Sequence, residues 1–171
     1  MNLANWITSS RFLLAPLIFW QLTRGTSQGV IWALILLLFA GLTDVADGWA
    51  ARSRNEVSEL GKILDPLADK LVTGGVLLAL TVKWRLPDWM VVVYIAKELI
   101  QVGAGALLVK QIKQVIPANR CGKNATVAFF LGFGLYFVHK EIGQVAIAIA
   151  ILMSVYALYT YYLVYLKMKQ H

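Results

Sequence analysis

The stretch DVADGWAARSRNEVSELGKILDPLAD, residues 44–69, carries four aspartates inside two runs that are otherwise apolar. Asp44 and Asp47 stand at i, i+3, and Asp65 and Asp69 at i, i+4, so each pair shares one face of a helix. With about 1.5 Å of rise per residue, Asp47 and Asp44 lie about 7.5 and 12 Å inward from Arg52. Asp65 and Asp69 lie about 6 and 12 Å inward from Gly61. Two antiparallel helices joined by the 53–60 loop would therefore hold their acids at matching depths. A charge at the centre of a bilayer helix costs about 2.5–3.5 kcal/mol, so four oppose insertion by on the order of 10 kcal/mol. Such a cost points to function.

The surrounding chain supports a bilayer setting. Of its 171 residues, 59% are hydrophobic and 15% charged, and the mean hydropathy is +0.67. A soluble domain carries about 25% charged residues. Long apolar runs and this composition exclude a cytosolic enzyme, a disordered chain and a disulfide scaffold. The predicted fold class is an all-α integral membrane protein, with one domain over 1–171 and the motif at 44–69. Six transmembrane helices are expected at about Trp6–Thr23, Val30–Arg52, Gly61–Val82, Asp88–Val109, Thr126–Val138 and Gly143–Leu166. Gly25, Gly29, Pro87 and Pro117 punctuate the connections. The first apolar run lacks a basic flank and a small-residue cleavage site, and reads as a retained helix.

Sixteen basic and nine acidic residues give a net charge of +7. Most basic residues fall between apolar runs, which fits orientation and anionic lipid rather than nucleic acid. One side would hold ten of them: Arg11, Arg52, Arg54, Lys62, Lys110, Lys113, Arg120, Lys123, Lys167 and Lys169. The other would hold Arg24, Lys83, Arg85 and Lys140. This imbalance predicts a multi-pass protein with both termini and the 53–60 loop in the cytoplasm. The tyrosines at 156, 159, 161, 162 and 165 read as an interface belt or a packing set. The lone Cys121 has no intrachain disulfide partner.

Four converging carboxylates need cations to stay ionised together. Their hard oxygens suit two Mg²⁺ or Mn²⁺ ions, and two-metal sites suit phosphoryl chemistry. Gly48 and Ala51 leave room for a ligand, Arg52 can grip a phosphate bidentately, and Gly61 opens the opposite helix. Other readings exist for single residues. Asp65 before Pro66 is a pattern for a helix N-cap. Asp44 and Asp47 could serve as a proton relay, Gly48 and Gly61 as helix-packing glycines, and Arg52 as an anchor. A cation transporter could use the same acids, but has no need of Gly48-x-x-Ala51-Arg52. A membrane scaffold leaves the aspartates unexplained.

These residues resemble the CDP-alcohol phosphatidyltransferases. The family signature is D-x-x-D-G-x-x-A-R, eight or nine residues, then G-x-x-x-D-x-x-x-D. Asp44, Asp47, Gly48, Ala51 and Arg52, eight residues, then Gly61, Asp65 and Asp69 match every specified position. The resemblance implies transfer of a phosphatidyl group from CDP-diacylglycerol to an alcohol, with release of CMP. It implies two metals on Asp44, Asp47, Asp65 and Asp69, and Asp69 as general base. It implies a CDP pocket lined by Asp44, Gly48, Ala51, Arg52 and Gly61, and a homodimer in the membrane lipid.

The acceptor is read from weaker features. Asn5, Thr8 and Arg11 resemble the N-x-x-T-x-x-R start of phosphatidylglycerophosphate synthases and cardiolipin synthases, although Arg11 also fits an interfacial anchor. Leu64–Lys70 is similar to both groups. For glycerol 3-phosphate, cationic ligands are expected from Lys97, which needs a partner such as Glu98 inside its span, and Lys123. Gly122-Lys123-x-x-Thr126 resembles a G-K-x-x-T stretch of the family. Two departures stand out: Gly105 and Ala125 occupy positions where glycerophosphate synthases carry Arg and Lys. Glycerol 3-phosphate is the acceptor expected, with phosphatidylglycerol as the alternative.

Overall fold

In a computed structural model the chain is helical, with no strand among the described residues. The structure describes the backbone of residues 3–54, 59–112 and 120–169, and the side chains of 11–43, 67–105, 121–122, 124–164 and 166. The helices are α1 Leu3–Thr23, α2 Ser27–Arg54, α3 Glu59–Trp84, α4 Asp88–Ile112, α5 Arg120–Val138 and α6 Lys140–Lys169. They form two compact units, Met1–Pro87 and Asp88–His171.

In the first unit, α2 and α3 both pack on α1. Helix α1 buries Leu14, Ala15, Ile18 and Leu22, and α3 buries Ala68, Val72, Val76 and Leu80. Both stripes recur every three or four residues, the spacing of one helical face. Three contacts run in step along the two helices. Arg11 meets Asp69, Gly75 comes up to the Ala15 carbonyl, and the Trp84 indole donates to the Leu22 carbonyl at 3.0 Å. Residue numbers rise together, so α1 and α3 are parallel and α2 returns the chain between them.

Local chemistry sets the ends. Gly25 adopts φ +67 after α1, a left-handed conformation that glycine takes without steric cost, and its N–H donates to the Leu22 carbonyl at 3.2 Å. The Thr26 hydroxyl then accepts from the Gly29 N–H at 3.1 Å, as an N-cap does. Arg85 closes α3 at φ 62, and Pro87 precedes α4.

In the second unit α5 and α6 form a hairpin whose turn passes through His139, where the Gly143 N–H donates to the His139 carbonyl at 2.9 Å. Tyr94 of α4 meets Phe129 of α5 edge to face, with ring centroids 5.5 Å apart. A Cβ on Gly143 would fall on the Tyr136 backbone. Gly143→Ala is therefore expected to destabilise the protein by about 1–3 kcal/mol. Gly134→Ala, where a Cβ meets nothing within 4 Å, is expected to be neutral or slightly stabilising. Thermal unfolding of the two variants in detergent checks this.

The expected boundaries need three corrections. Helix α5 begins at Arg120, not Thr126, so Arg120 and Lys123 lie on a helix rather than in a loop, and Lys110 lies on α4. Helix α3 begins at Glu59, not Gly61, which places Asp65 and Pro66 inside it and removes the N-cap reading of Asp65. Among the described residues one segment, Lys140–Val164, is long and apolar enough to cross a bilayer, with mean hydropathy 2.0. The apolar segments Arg11–Thr23, Ser27–Thr43 and Asn124–Val138 are shorter. Every helix nonetheless turns large apolar side chains outward, among them Leu13, Leu38, Leu71, Leu99, Leu131 and Leu152. Tyr156, Tyr159 and Tyr162 are also exposed, as an interface belt requires.

Candidate active site

Both halves of the aspartate motif lie on helices. Asp44, Asp47, Gly48, Ala51 and Arg52 occupy the second half of α2, and Gly61, Asp65 and Asp69 the first half of α3. Only residues 55–58 separate the two helices, a link that spans at most about 18 Å from Arg54 to Glu59. The end of α2 and the start of α3 are thus tethered at the end of the unit where α1 begins. The side chains of Asp44, Asp47, Gly48, Ala51, Arg52, Gly61 and Asp65 lie outside the described residues.

Asp69 is the motif acid whose side chain is described. Its Oδ1 accepts a hydrogen bond from Arg11 Nη1 at 2.5 Å. The Arg11 side chain is 1% exposed, whereas that of Asp69 is 39% exposed. The guanidinium therefore sits inside the α1–α3 contact, and the carboxylate sits at its rim. This overturns the alternative reading of Arg11 as an interfacial anchor. Arg11 heads the buried stripe that continues through Leu14, Ala15, Ile18 and Leu22, so α1–α3 packing draws it inward. Taking a guanidinium out of water costs several kcal/mol unless a counter-charge and hydrogen bonds offset it. A carboxylate supplies both. The sequence reading missed this burial; the spacing of Arg11 with Leu14, Ala15, Ile18 and Leu22 is the signal that could have found it.

The acceptor candidates belong to the second unit. Lys97 and Glu98, both largely buried on α4, form an ion pair with Nζ 2.7 Å from Oε1, so Glu98 is the partner that the mid-helix lysine required. Lys123 is in the first turns of α5, and its side chain lies outside the described residues. In the same stretch the Thr126 hydroxyl donates to the Gly122 carbonyl at 3.2 Å. Ala125 is buried, and a Cβ on Gly105 would meet nothing within 4 Å.

The donor set suits hard divalent cations, since its members are all carboxylates. No cluster of three metal-ligating side chains occurs among the described residues, and three of the four acids lie outside them. Asp69 is exposed enough to be reached by an ion or a hydroxyl.

The chain is similar to known proteins. Residues 1–156 match the profile of CDP-alcohol phosphatidyltransferase. A Streptomyces coelicolor protein named cardiolipin synthase (CMP-forming) is 32% identical over 85% of this chain and 69% of its own length. A Bacillus subtilis protein named CDP-diacylglycerol–glycerol-3-phosphate 3-phosphatidyltransferase is 34% identical over 81% of this chain and 78% of its own. A Mycobacterium tuberculosis protein named probable phosphatidylglycerophosphate synthase is 33% identical over 93% and 76%.

Proposed function

Because the chain belongs to the CDP-alcohol phosphatidyltransferase family, we propose that it transfers the phosphatidyl group of CDP-diacylglycerol to glycerol 3-phosphate. The products are phosphatidylglycerophosphate and CMP. That the chain is a phosphatidyltransferase of phospholipid biosynthesis follows from the family and from its relatives. The observation that carries the site assignment is the complete motif spanning the end of α2 and the start of α3.

In this reading Asp69 accepts the proton of the acceptor hydroxyl. The hydroxyl oxygen bonds to the phosphorus that bears the diacylglycerol, and the bond from that phosphorus to the CMP oxygen breaks. Gly48, Ala51 and Gly61 give the CDP moiety a close bed, with Asp44 beside it, and Arg52 grips its phosphates. Asp44, Asp47, Asp65 and Asp69 would hold two Mg²⁺ or Mn²⁺ ions, whose bound charge would neutralise the diphosphate and stabilise the leaving group. Lys97, oriented by Glu98, and Lys123 supply positive charge for the acceptor phosphate.

The proposal includes a multi-pass topology with both termini and the site facing the cytoplasm. The apolar outward faces of all six helices support the passes. With Arg11 withdrawn into an ion pair, the charge imbalance still stands at nine basic residues against four. Homodimerisation rests on the resemblance.

Phosphatidylglycerol is the second acceptor. Open space beside Gly105 and the buried Ala125 leave neutral groups where glycerophosphate synthases carry cations. An acceptor panel with labelled CDP-diacylglycerol decides between the two, with the lipid product identified by mass. Phosphatidylglycerophosphate is expected, cardiolipin would move the assignment to the second acceptor, and absence of CMP with every acceptor would end the reading. In the same assay Arg52→Ala is expected to raise the KM for CDP-diacylglycerol about 10-fold, the loss of one charge-assisted contact. A cation transporter would be indifferent to that change.

A further inference from the structure

Arg11 and Asp69 are joined across two helices, and the two ends of the pair have opposite surroundings. Arg11 is enclosed between α1 and α3, while the carboxylate it holds stays more than a third exposed. Such an arginine reaches neither bulk water nor the lipid interface. Its place is also rigidly determined. The Gly75–Ala15 approach and the Trp84–Leu22 hydrogen bond share the register that sets residue 11 of α1 beside residue 69 of α3, and burial between the helices restricts the guanidinium.

A hydrogen bond to one oxygen restrains rotation of a carboxylate about its Cβ–Cγ bond. The rest of the group then keeps one direction. A general base must lie within about 2.6–3.2 Å of the proton it removes, and a misplacement of about 1 Å costs on the order of 100-fold in rate. Aspartate has two freely rotating side-chain bonds, and α3 alone does not choose among their settings.

We infer that Arg11 is a positioning residue for Asp69: from behind the carboxylate, it sets the direction in which the base meets the acceptor hydroxyl. This rests on the reading of Asp69 as the base. In this role Arg11 acts through Asp69 and not on the substrates.

The test uses the full chain in lipid nanodiscs with Mg²⁺, following CMP release and CDP-diacylglycerol binding. Arg11→Ala is expected to lower kcat about 100-fold and leave both KM values and donor affinity within about 3-fold. Added guanidinium ion should restore part of that kcat. Arg11→Lys keeps the charge without the planar fork, and is expected to remain folded and lose about 10-fold in kcat. It carries the test if Arg11→Ala does not fold. In an Asp69→Asn background, followed by single turnover, either change should have no further effect. Wild-type kcat in Arg11→Lys overturns the inference. So does a KM rise at unchanged kcat, which would make Arg11 a substrate ligand, or an equal loss in both backgrounds. Full turnover in Asp69→Asn with Arg11 intact overturns instead the assignment of the base, and is read separately.

Discussion

Asp69→Asn is expected to lower CMP release from CDP-diacylglycerol by on the order of 10³-fold, within the range that a general base contributes. Asparagine keeps the shape and an oxygen able to accept the hydrogen bond now made to Oδ1 from Arg11, but it takes no proton. Donor affinity should change by only a few-fold, since the CDP contacts are assigned to Asp44, Gly48, Ala51, Arg52 and Gly61. The substitution also leaves the buried guanidinium beside a neutral amide. A lower thermal midpoint is therefore expected in parallel. Asp69→Glu separates the two effects: it keeps the charge, so stability should largely return, but it displaces the carboxylate by a methylene and should still lose about 100-fold. Rate measurements alongside thermal unfolding check both. An Asp69→Asn enzyme with wild-type kcat would remove the base from the mechanism.

Removal of divalent cations is expected to abolish turnover. Four carboxylates within two short segments repel one another and the diphosphate of the donor, and cations relieve both repulsions. Treatment with EDTA should take CMP release below detection, and Mg²⁺ or Mn²⁺ should restore it. Ca²⁺ should restore it poorly, because it is larger and takes more ligands. The same purified protein in liposomes should pass no divalent metal. Metal flux with indifference to nucleotide would support the transporter reading that shares these acids.

The helical class was legible because the apolar runs are longer than strands and are separated by polar connections. Helix ends were legible where a residue enforces them, as Gly25 does through its positive φ and Pro87 through its missing N–H. They were not legible where hydropathy stood in for backbone preference. Arg120 and Lys123 look like loop because they are charged, yet both are good helix formers, and α5 runs through them. Asp65-Pro66 looks like a helix start for an equally local reason, and α3 is already under way when it reaches them.

Residue order alone determined which chemistry this protein carries. The types and spacings of Asp44, Asp47, Gly48, Ala51, Arg52, Gly61, Asp65 and Asp69 are set by the chain, and helical periodicity puts each acid pair on one face. Arg11 is a different case. It stands 58 positions from Asp69, and a lone basic residue in an apolar run fits an interfacial anchor as well as a motif residue. The packing of α1 along α3 decided between them, because burying that helix face takes the guanidinium out of water and brings it against the Asp69 carboxylate.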